Sequence, residues 1–257
     1  MHVNETPGAA VLAVAQSRSD AGNIAANIAR HLAFMEQAAG LGVSFLMFPE
    51  LSLTGYEPEL ARGMAITSED TRLRPLLVKA REWGMTTVVG APVRSSTGDG
   101  LSIAAFILHP DGGVTVQHKQ HLHSGEEAVF TAGAGGEAFN LGSECLGLAI
   151  CADFCQASHP RRAAEAGASI YAASVLISEG GYAHDAGLLS GHARTYRMAV
   201  LMANYAGVTG GWHSGGRSAL WDEQGAQVAA LPDAEEGLLV AQRLGSGWET
   251  RSHRVAL

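Results

Sequence analysis

Cys151 ends the apolar run LGLAIC, and the Ala152-Asp153-Phe154 behind it opens a turn before the next helix. A thiol delivered where a strand gives way to a turn is exposed and ringed by backbone N–H groups, which suits a nucleophile. Glu50 follows the run VSFLMF and a proline in FPELSLTGY, so a carboxylate stands at the rim of a sheet where a cleft can form. Lys119, in VQHKQHL, likewise follows a hairpin strand. Singly, each has a plainer reading: a solvated rim carboxylate, a surface lysine, and the inert buried cysteine that most free thiols are, as for Cys145 and Cys155. A second chemistry is zinc binding, since His118, His121 and His123 lie together and His159 stands four residues after Cys155. Against it, His121 and His123 share one face of a strand while His118 faces the other way, and no acidic or cysteine ligand has a standard spacing to them. No metal site is expected. A third chemistry is thiol redox sensing by Cys151 and Cys155.

To hold these residues the chain must alternate strands and helices. Residues 11–15 read as a strand, after which Ile24, Ile28, Leu32 and Met35 recur at helical spacing until Gly40. Residues 43–48 are apolar on both faces, as a strand covered on both sides must be. A helix over about 69–83 and a strand over 86–91 repeat the order. Strands 101–108 and 114–118 flank Pro110-Asp111-Gly112-Gly113, whose fixed and positive φ angles make a hairpin turn. Another buried strand covers 146–150, and Pro160 sits near the start of an Ala-rich helix that Gly167 closes. A strand at 170–173, a helix over about 185–198 and a strand at 200–204 continue the alternation. Short strands over 217–222, 226–231 and 237–242 form the tail. With no linker and no short-period repeat, one α/β domain over 1–257 is expected, with mixed sheets, helices outside and two sheets packed on each other.

Composition bounds the partners. The 257 residues carry 17 Lys+Arg against 25 Asp+Glu, a formal net charge of −8, and 47% are hydrophobic. That excludes disorder, and the acidic balance without a dense Lys/Arg run argues against nucleic acid or an anionic membrane as partner. A small molecule remains. No stretch approaches about 20 uninterrupted apolar residues, and the first apolar run has no basic region before it. Three closely spaced cysteines make no secreted disulfide framework, so free thiols in the cytoplasm are expected.

Taken in order, FPELSLTGY, HKQHLHSGEEAVFTAG and LAICADF resemble the motifs of the nitrilase, or carbon–nitrogen hydrolase, superfamily. The resemblance runs from Val11 to about Leu231 and takes in GASIYAAS, ARTYRMAVLMANYAGV and GGRSALWDEQG. It implies a four-layer α-β-β-α sandwich with two mixed sheets, usually dimerised through the helices beside the cysteine. It also implies Glu50 as general base, Lys119 as cationic stabiliser and Cys151 as nucleophile, with Glu126 rather than Glu127 matching the family's second glutamate.

Those roles make chemical sense. A thiol with an ordinary pKa of about 8.5 must lose its proton to attack an amide carbon, and Glu50 would take it. The oxyanion would be met by Lys119 and the N–H of Ala152. Glu50 would then protonate the leaving ammonia or amine and activate water against the thioester, with no cofactor. Cys151-Ala152-Asp153 looks more like the amidase and carbamoylase branches than true nitrilases, which typically carry tryptophan and glutamate there. A small amide is the first substrate class; an N-carbamoyl amide, a nitrile, or a non-catalytic role on the same fold are the alternatives. Tyr56, Ser174 and Val175 are the pocket candidates beside Ala152. Two departures stand out: Ala152 replaces the usual tyrosine, which could enlarge the pocket, and Arg197-Met198 replaces the common Glu-Asn, which bears on helix support or the interface.

Overall fold

Alternation of side chains along the strands decides the layering. The structure, a computed structural model, describes residues 9–94 and 100–255. The first sheet contains β1 (Val11–Gln16), β2 (Phe45–Met47), β3 (Thr86–Arg94), β4 (Leu101–Leu108) and β5 (Val114–His118). The second contains β6 (Phe139–Leu141), β7 (Glu144–Ile150), β8 (Ile170–Ser174), β9 (Ala199–Ala203), and, after the small hairpin β10 (Val208–Thr209) and β11 (Trp212–His213), β12 (Ala219–Trp221) and β13 (Gln227–Ala230). The chain then returns to the first sheet with β14 (Gly237–Leu244) and β15 (Gly247–Arg254), giving the order β15-β14-β1-β2-β3-β4-β5 against β13-β12-β9-β8-β7-β6. Both sheets are mixed: β1, β2 and β3 run parallel in one, β7, β8 and β9 in the other, and antiparallel strands flank each triplet.

Leu12, Val14, Phe45, Met47 and Ile103 of the first sheet meet Leu146, Leu148, Ile170, Ala172 and Leu201 of the second in the central core. The alternate residues Ala13, Ala15, Leu46 and Val89 face outward onto Ile28, Phe34 and Met35 of α1 (Ile24–Gly40). Short α2 (Ala61–Met64) and α3 (Arg74–Glu82) complete that layer. On the far side Ala149, Tyr171, Ala173 and Met202 pack on Leu189 and Ala193 of α5 (Tyr182–Tyr196), beside α4 (Ser158–Glu165). This is the expected α-β-β-α order, and the central strands are buried on both faces because helices cover what the partner sheet does not. No helix among the described residues is long and apolar enough to cross a membrane.

Element ends differ from the sequence expectation for local reasons. The helix expected from 69 starts as a 3-10 turn, Thr71–Leu73, capped by the Asp70 carboxylate on the N–H of Arg72 at 2.9 Å, and becomes α-helical at Arg74. Helix α5 begins at Tyr182, three residues before the expected start, and ends at Tyr196 because Arg197 turns left-handed at φ 52°. Strand β15 was not expected. Its sequence GWETRSHR lacks an apolar stripe, and it is held as an edge by pairing with β14.

Two features of this frame fix the turn after β2. A Cβ at Gly90 on β3 would run into the backbone N of Leu51, so only glycine lets β3 pass beneath that turn. Beside it, buried His31 of α1 donates through Nδ1 to the carbonyl of Asn27 at 2.6 Å, leaving Nε2 to accept from the Ser52 hydroxyl at 3.0 Å. Ser52 Oγ in turn accepts the Gly90 N–H at 3.1 Å. Burial lowers the His31 pKa to about 4, so the neutral ring this relay needs is the one present at neutral pH.

Candidate active site

Glu50 and Cys151 stand at equivalent places: each follows the carboxyl end of a strand in a parallel triplet, where open α/β sheets leave a crevice. Four non-glycine residues among those described have left-handed φ angles, and two belong to these turns: Leu51 at 53°, directly after Glu50, and Cys151 at 45°. Such angles cost of order 1–3 kcal/mol each and persist only where the surroundings impose them. For Cys151 the imposing contacts include Asp153, whose carboxylate accepts the N–H of Ile150 at 3.1 Å. The other Asp153 oxygen takes the N–H groups of Gln120 at 3.0 Å and His121 at 2.8 Å. One buried side chain therefore clamps the segment after Lys119 against the turn of Cys151. Similarly, the hydroxyl of buried Tyr205 donates to the backbone carbonyl of Glu50 at 2.6 Å.

The charged groups meet beneath that clamp. Lys119 is fully buried, and its ammonium donates to Glu50 Oε1 at 2.7 Å and to Glu126 Oε1 and Oε2 at 2.9 and 2.8 Å. Glu126 also accepts the Tyr56 hydroxyl at 2.9 Å and the His123 N–H at 2.8 Å, whereas Glu127 is exposed and bonds only locally to the N–H of Gly125. Glu50 Oε2 is buried and has no hydrogen-bond partner. Burial, opposed by Lys119, raises the Glu50 carboxyl above its ordinary range. Burial acts against the Lys119 charge, but the Glu50 and Glu126 carboxylates overcome it and raise that pKa. Burial, reinforced by Glu50, pushes the Cys151 thiol well up, so the resting pair is a neutral thiol beside a carboxylate of enhanced basicity. Burial and the Glu126 charge likewise keep the Tyr56 phenol protonated, consistent with its role as donor.

Glu50, Tyr56, Glu126, Cys151 and Ala152 all line one cavity of about 260 Å³. Ser174 and Val175, expected there from the sequence, are elsewhere. Ser174 donates to the carbonyl of Phe48 at 2.9 Å, tying the two sheets together, and Val175 is buried in the outer core beside α5. The next three residues, Leu176, Ile177 and Ser178, line the cavity instead, and the Cys151 thiol points toward the Leu176 carbonyl, 3.8 Å away. Sequence reasoning also missed Asp185 and Trp212, which reach the cavity from α5 and β11. Nothing local marked them; only the CAD motif hinted at the clamp by Asp153.

The histidines considered for zinc scatter. His123 borders the cavity, His159 bonds to the Tyr171 hydroxyl at 2.8 Å, and His121 faces His159 with ring centroids 6.2 Å apart. No group of three His, Cys, Asp or Glu side chains among the described residues converges as a metal's donors would. Cys155 is exposed at the cavity edge, and Cys145 lies apart on β7.

The model of the carbon-nitrogen hydrolase family matches residues 11–248. Among solved structures the chain is similar to the amidase from Nesterenkonia sp. AN1, at 25% identity and a TM-score of 0.82, over 92% of this chain and 93% of that one. A cysteine-to-alanine variant of that amidase in complex with butyramide matches at 24% identity and a TM-score of 0.83, over 95% of this chain and 94% of that one. A glutamate-to-glutamine variant, showing covalent addition of the acetamide moiety of fluoroacetamide at its active-site cysteine, matches at 24% identity and 0.83, over 95% and 93%.

Proposed function

The chain belongs to the carbon–nitrogen hydrolase family and hydrolyses carbon–nitrogen bonds other than peptide bonds, and from that premise we propose an amidase acting on small amides through a thioester on Cys151. One observation carries the reading. A lysine ammonium bonded to two buried carboxylates leaves one oxygen of Glu50 unpaired in the cavity that the Cys151 thiol also lines. Glu50 takes the thiol proton as sulfur attacks the amide carbon, because a free thiolate beside that carboxylate would be costly and a concerted transfer avoids it. The oxyanion is stabilised by the Lys119 ammonium and by the N–H of Ala152, which lies in the first turn of a short 3-10 helix where N–H groups lack intrahelical partners. Collapse of the adduct expels ammonia or an amine with the proton held on Glu50. The same carboxylate then draws a proton from water as it attacks the thioester, and the acid leaves with the thiol restored. The step sequence uses only this chain's groups and no metal or diffusible cofactor. Glu126 keeps Lys119 charged and aimed, and Tyr56 and His123 hold Glu126.

Butyramide in the similar amidase supports a short aliphatic amide as the substrate, and Ala152 leaves room where a larger side chain would intrude. The test is ammonia release from acetamide, propionamide and butyramide beside N-carbamoyl amides and nitriles of equal length. Amides should turn over fastest; turnover of the nitriles or the N-carbamoyl compounds alone would replace amidase with one of those activities. Membership of the same family supports a cytoplasmic homodimer or higher homo-oligomer joined through α4 and α5, whose mass in solution should be at least twice that of the chain.

A further inference from the structure

The cavity contains a carboxylate that the reaction above leaves idle. Asp185 sits in the first turn of α5 and lines the cavity together with Cys151, Ser178 and Trp212. Among the described residues its side chain makes no hydrogen bond or ion pair; His184 and His123 reach it only through space. Partial burial holds its carboxyl above the ordinary range, as for an anion short of a counter-charge. The rest of the cavity does not supply one. Three carboxylates, those of Glu50, Glu126 and Asp185, face it, no arginine or lysine side chain among the described residues lines it, and the Lys119 ammonium behind it is bound to the first two. Trp212 adds a half-exposed indole to the lining of the same cavity, and ammonium groups favour aromatic faces as well as carboxylates.

These features constrain the substrate. An amide carrying a carboxylate would bring a fourth carboxylate into a cavity that no lysine or arginine side chain among the described residues lines, a repulsion that rejects such molecules. A volume of about 260 Å³ lies below the usual range for ligand pockets, so the molecule is short. We propose that the amidase reaction argued above, on which this inference rests, is directed to small amides bearing a cationic amine, with Asp185 as the specificity-determining residue that receives the ammonium and Trp212 covering it. The cation can lie on the acyl side of the scissile bond or on the leaving amine, and the same carboxylate recognises both.

The experiment compares kcat/KM for pentanamide, 5-aminopentanamide, N-(2-aminoethyl)acetamide, N-propylacetamide and glutaramic acid. At least one cationic amide should exceed its neutral counterpart by about tenfold or more, the scale of one partly desolvated charge pair, and the anionic glutaramic acid should be the poorest. The arm that shows the gain identifies which side carries the cation. In Asp185→Asn the cationic-to-neutral ratio should collapse toward one, mainly through KM, and in Asp185→Lys the anionic amide should overtake the cationic one. The ratios in the unaltered protein stand even if a variant fails to fold. Hydrolysis of neutral amides without a cationic preference, or a preference that survives Asp185→Asn, overturns this inference and leaves the amidase reading intact. Hydrolysis of no amide at all overturns both.

Discussion

The floor and the outer wall of the cavity treat charge in opposite ways. On the floor, buried Glu50 and Glu126 are each bonded to buried Lys119, and the Tyr56 hydroxyl and the His123 N–H complete the partners of Glu126. On the wall, Cys151 and Asp185 are only partly buried: the thiol has the long contact to Leu176 and the Glu50 carboxylate beside it, and the Asp185 side chain has no hydrogen bond or ion pair among the described residues. Apart from Glu50 Oε2, which has no hydrogen-bond partner, the floor is completed by folding itself, whereas the wall is completed by a ligand. Removing a group from the floor should therefore damage stability and turnover together, and removing one from the wall should damage turnover alone.

The largest expected effect is Lys119→Ala. It strands two buried carboxylates without a counter-charge, which should cost about 3–5 kcal/mol of stability by denaturant unfolding as well as all measurable turnover. Cys151→Ala should abolish turnover equally while shifting stability by about 1 kcal/mol or less, because the thiol's polar contacts, to the Leu176 carbonyl and to Glu50, are those of an uncharged group. Equal stability losses in the two variants would erase the contrast between floor and wall.

Next comes Glu50→Gln, which keeps shape and removes basicity and should lower turnover by about 10²-fold or more. The pH profile sharpens this point. Because burial raises the Glu50 carboxyl, the base is lost as pH falls through a value above the ordinary glutamate figure of about 4.3, so the acid limb of kcat/KM should lie on that high side. That limb should disappear in the glutamine variant. An acid limb at the ordinary glutamate position, or one unchanged by the substitution, would assign the base elsewhere.

The smallest effect concerns the clamp between the two regions. Asp153→Asn retains an acceptor but weakens its hold on the N–H groups of Ile150, Gln120 and His121, so kcat should fall by about tenfold with KM within about twofold. A change confined to KM would place Asp153 in substrate binding instead of in positioning the nucleophile turn.

The ends of the buried strands were readable in the sequence because each is a continuous apolar run cut off by a chemically distinct residue: VSFLMF before Pro49 and Glu50, LGLAIC at Cys151. The family named from three ordered motifs is the one the chain belongs to, and the layer order followed. What stayed hidden depends on long-range closure. Tyr205 and Glu50 are far apart in sequence, yet the tyrosine holds the backbone of the glutamate. Asp185 and Trp212 enter the cavity only because α5 and the β10-β11 hairpin converge on it. The misplacement of Ser174 and Val175 is instructive in the same way: pairing of β8 with β7 runs as far as Ser174, so those residues remain in the packed sheet and the lining begins with the loop beyond.

The central claim, that Cys151 carries the acyl group, has one direct measurement. The protein is exposed briefly to butyramide, quenched in acid, digested with pepsin, and the position of any acyl group among Cys145, Cys151 and Cys155 is read by tandem mass spectrometry. The mechanism predicts one butyryl mass on the peptide containing Cys151, absent in Cys151→Ala and unaffected by Cys155→Ser. A butyryl group found on Cys155 or Cys145, or butyramide hydrolysed at full rate by Cys151→Ala, would contradict it.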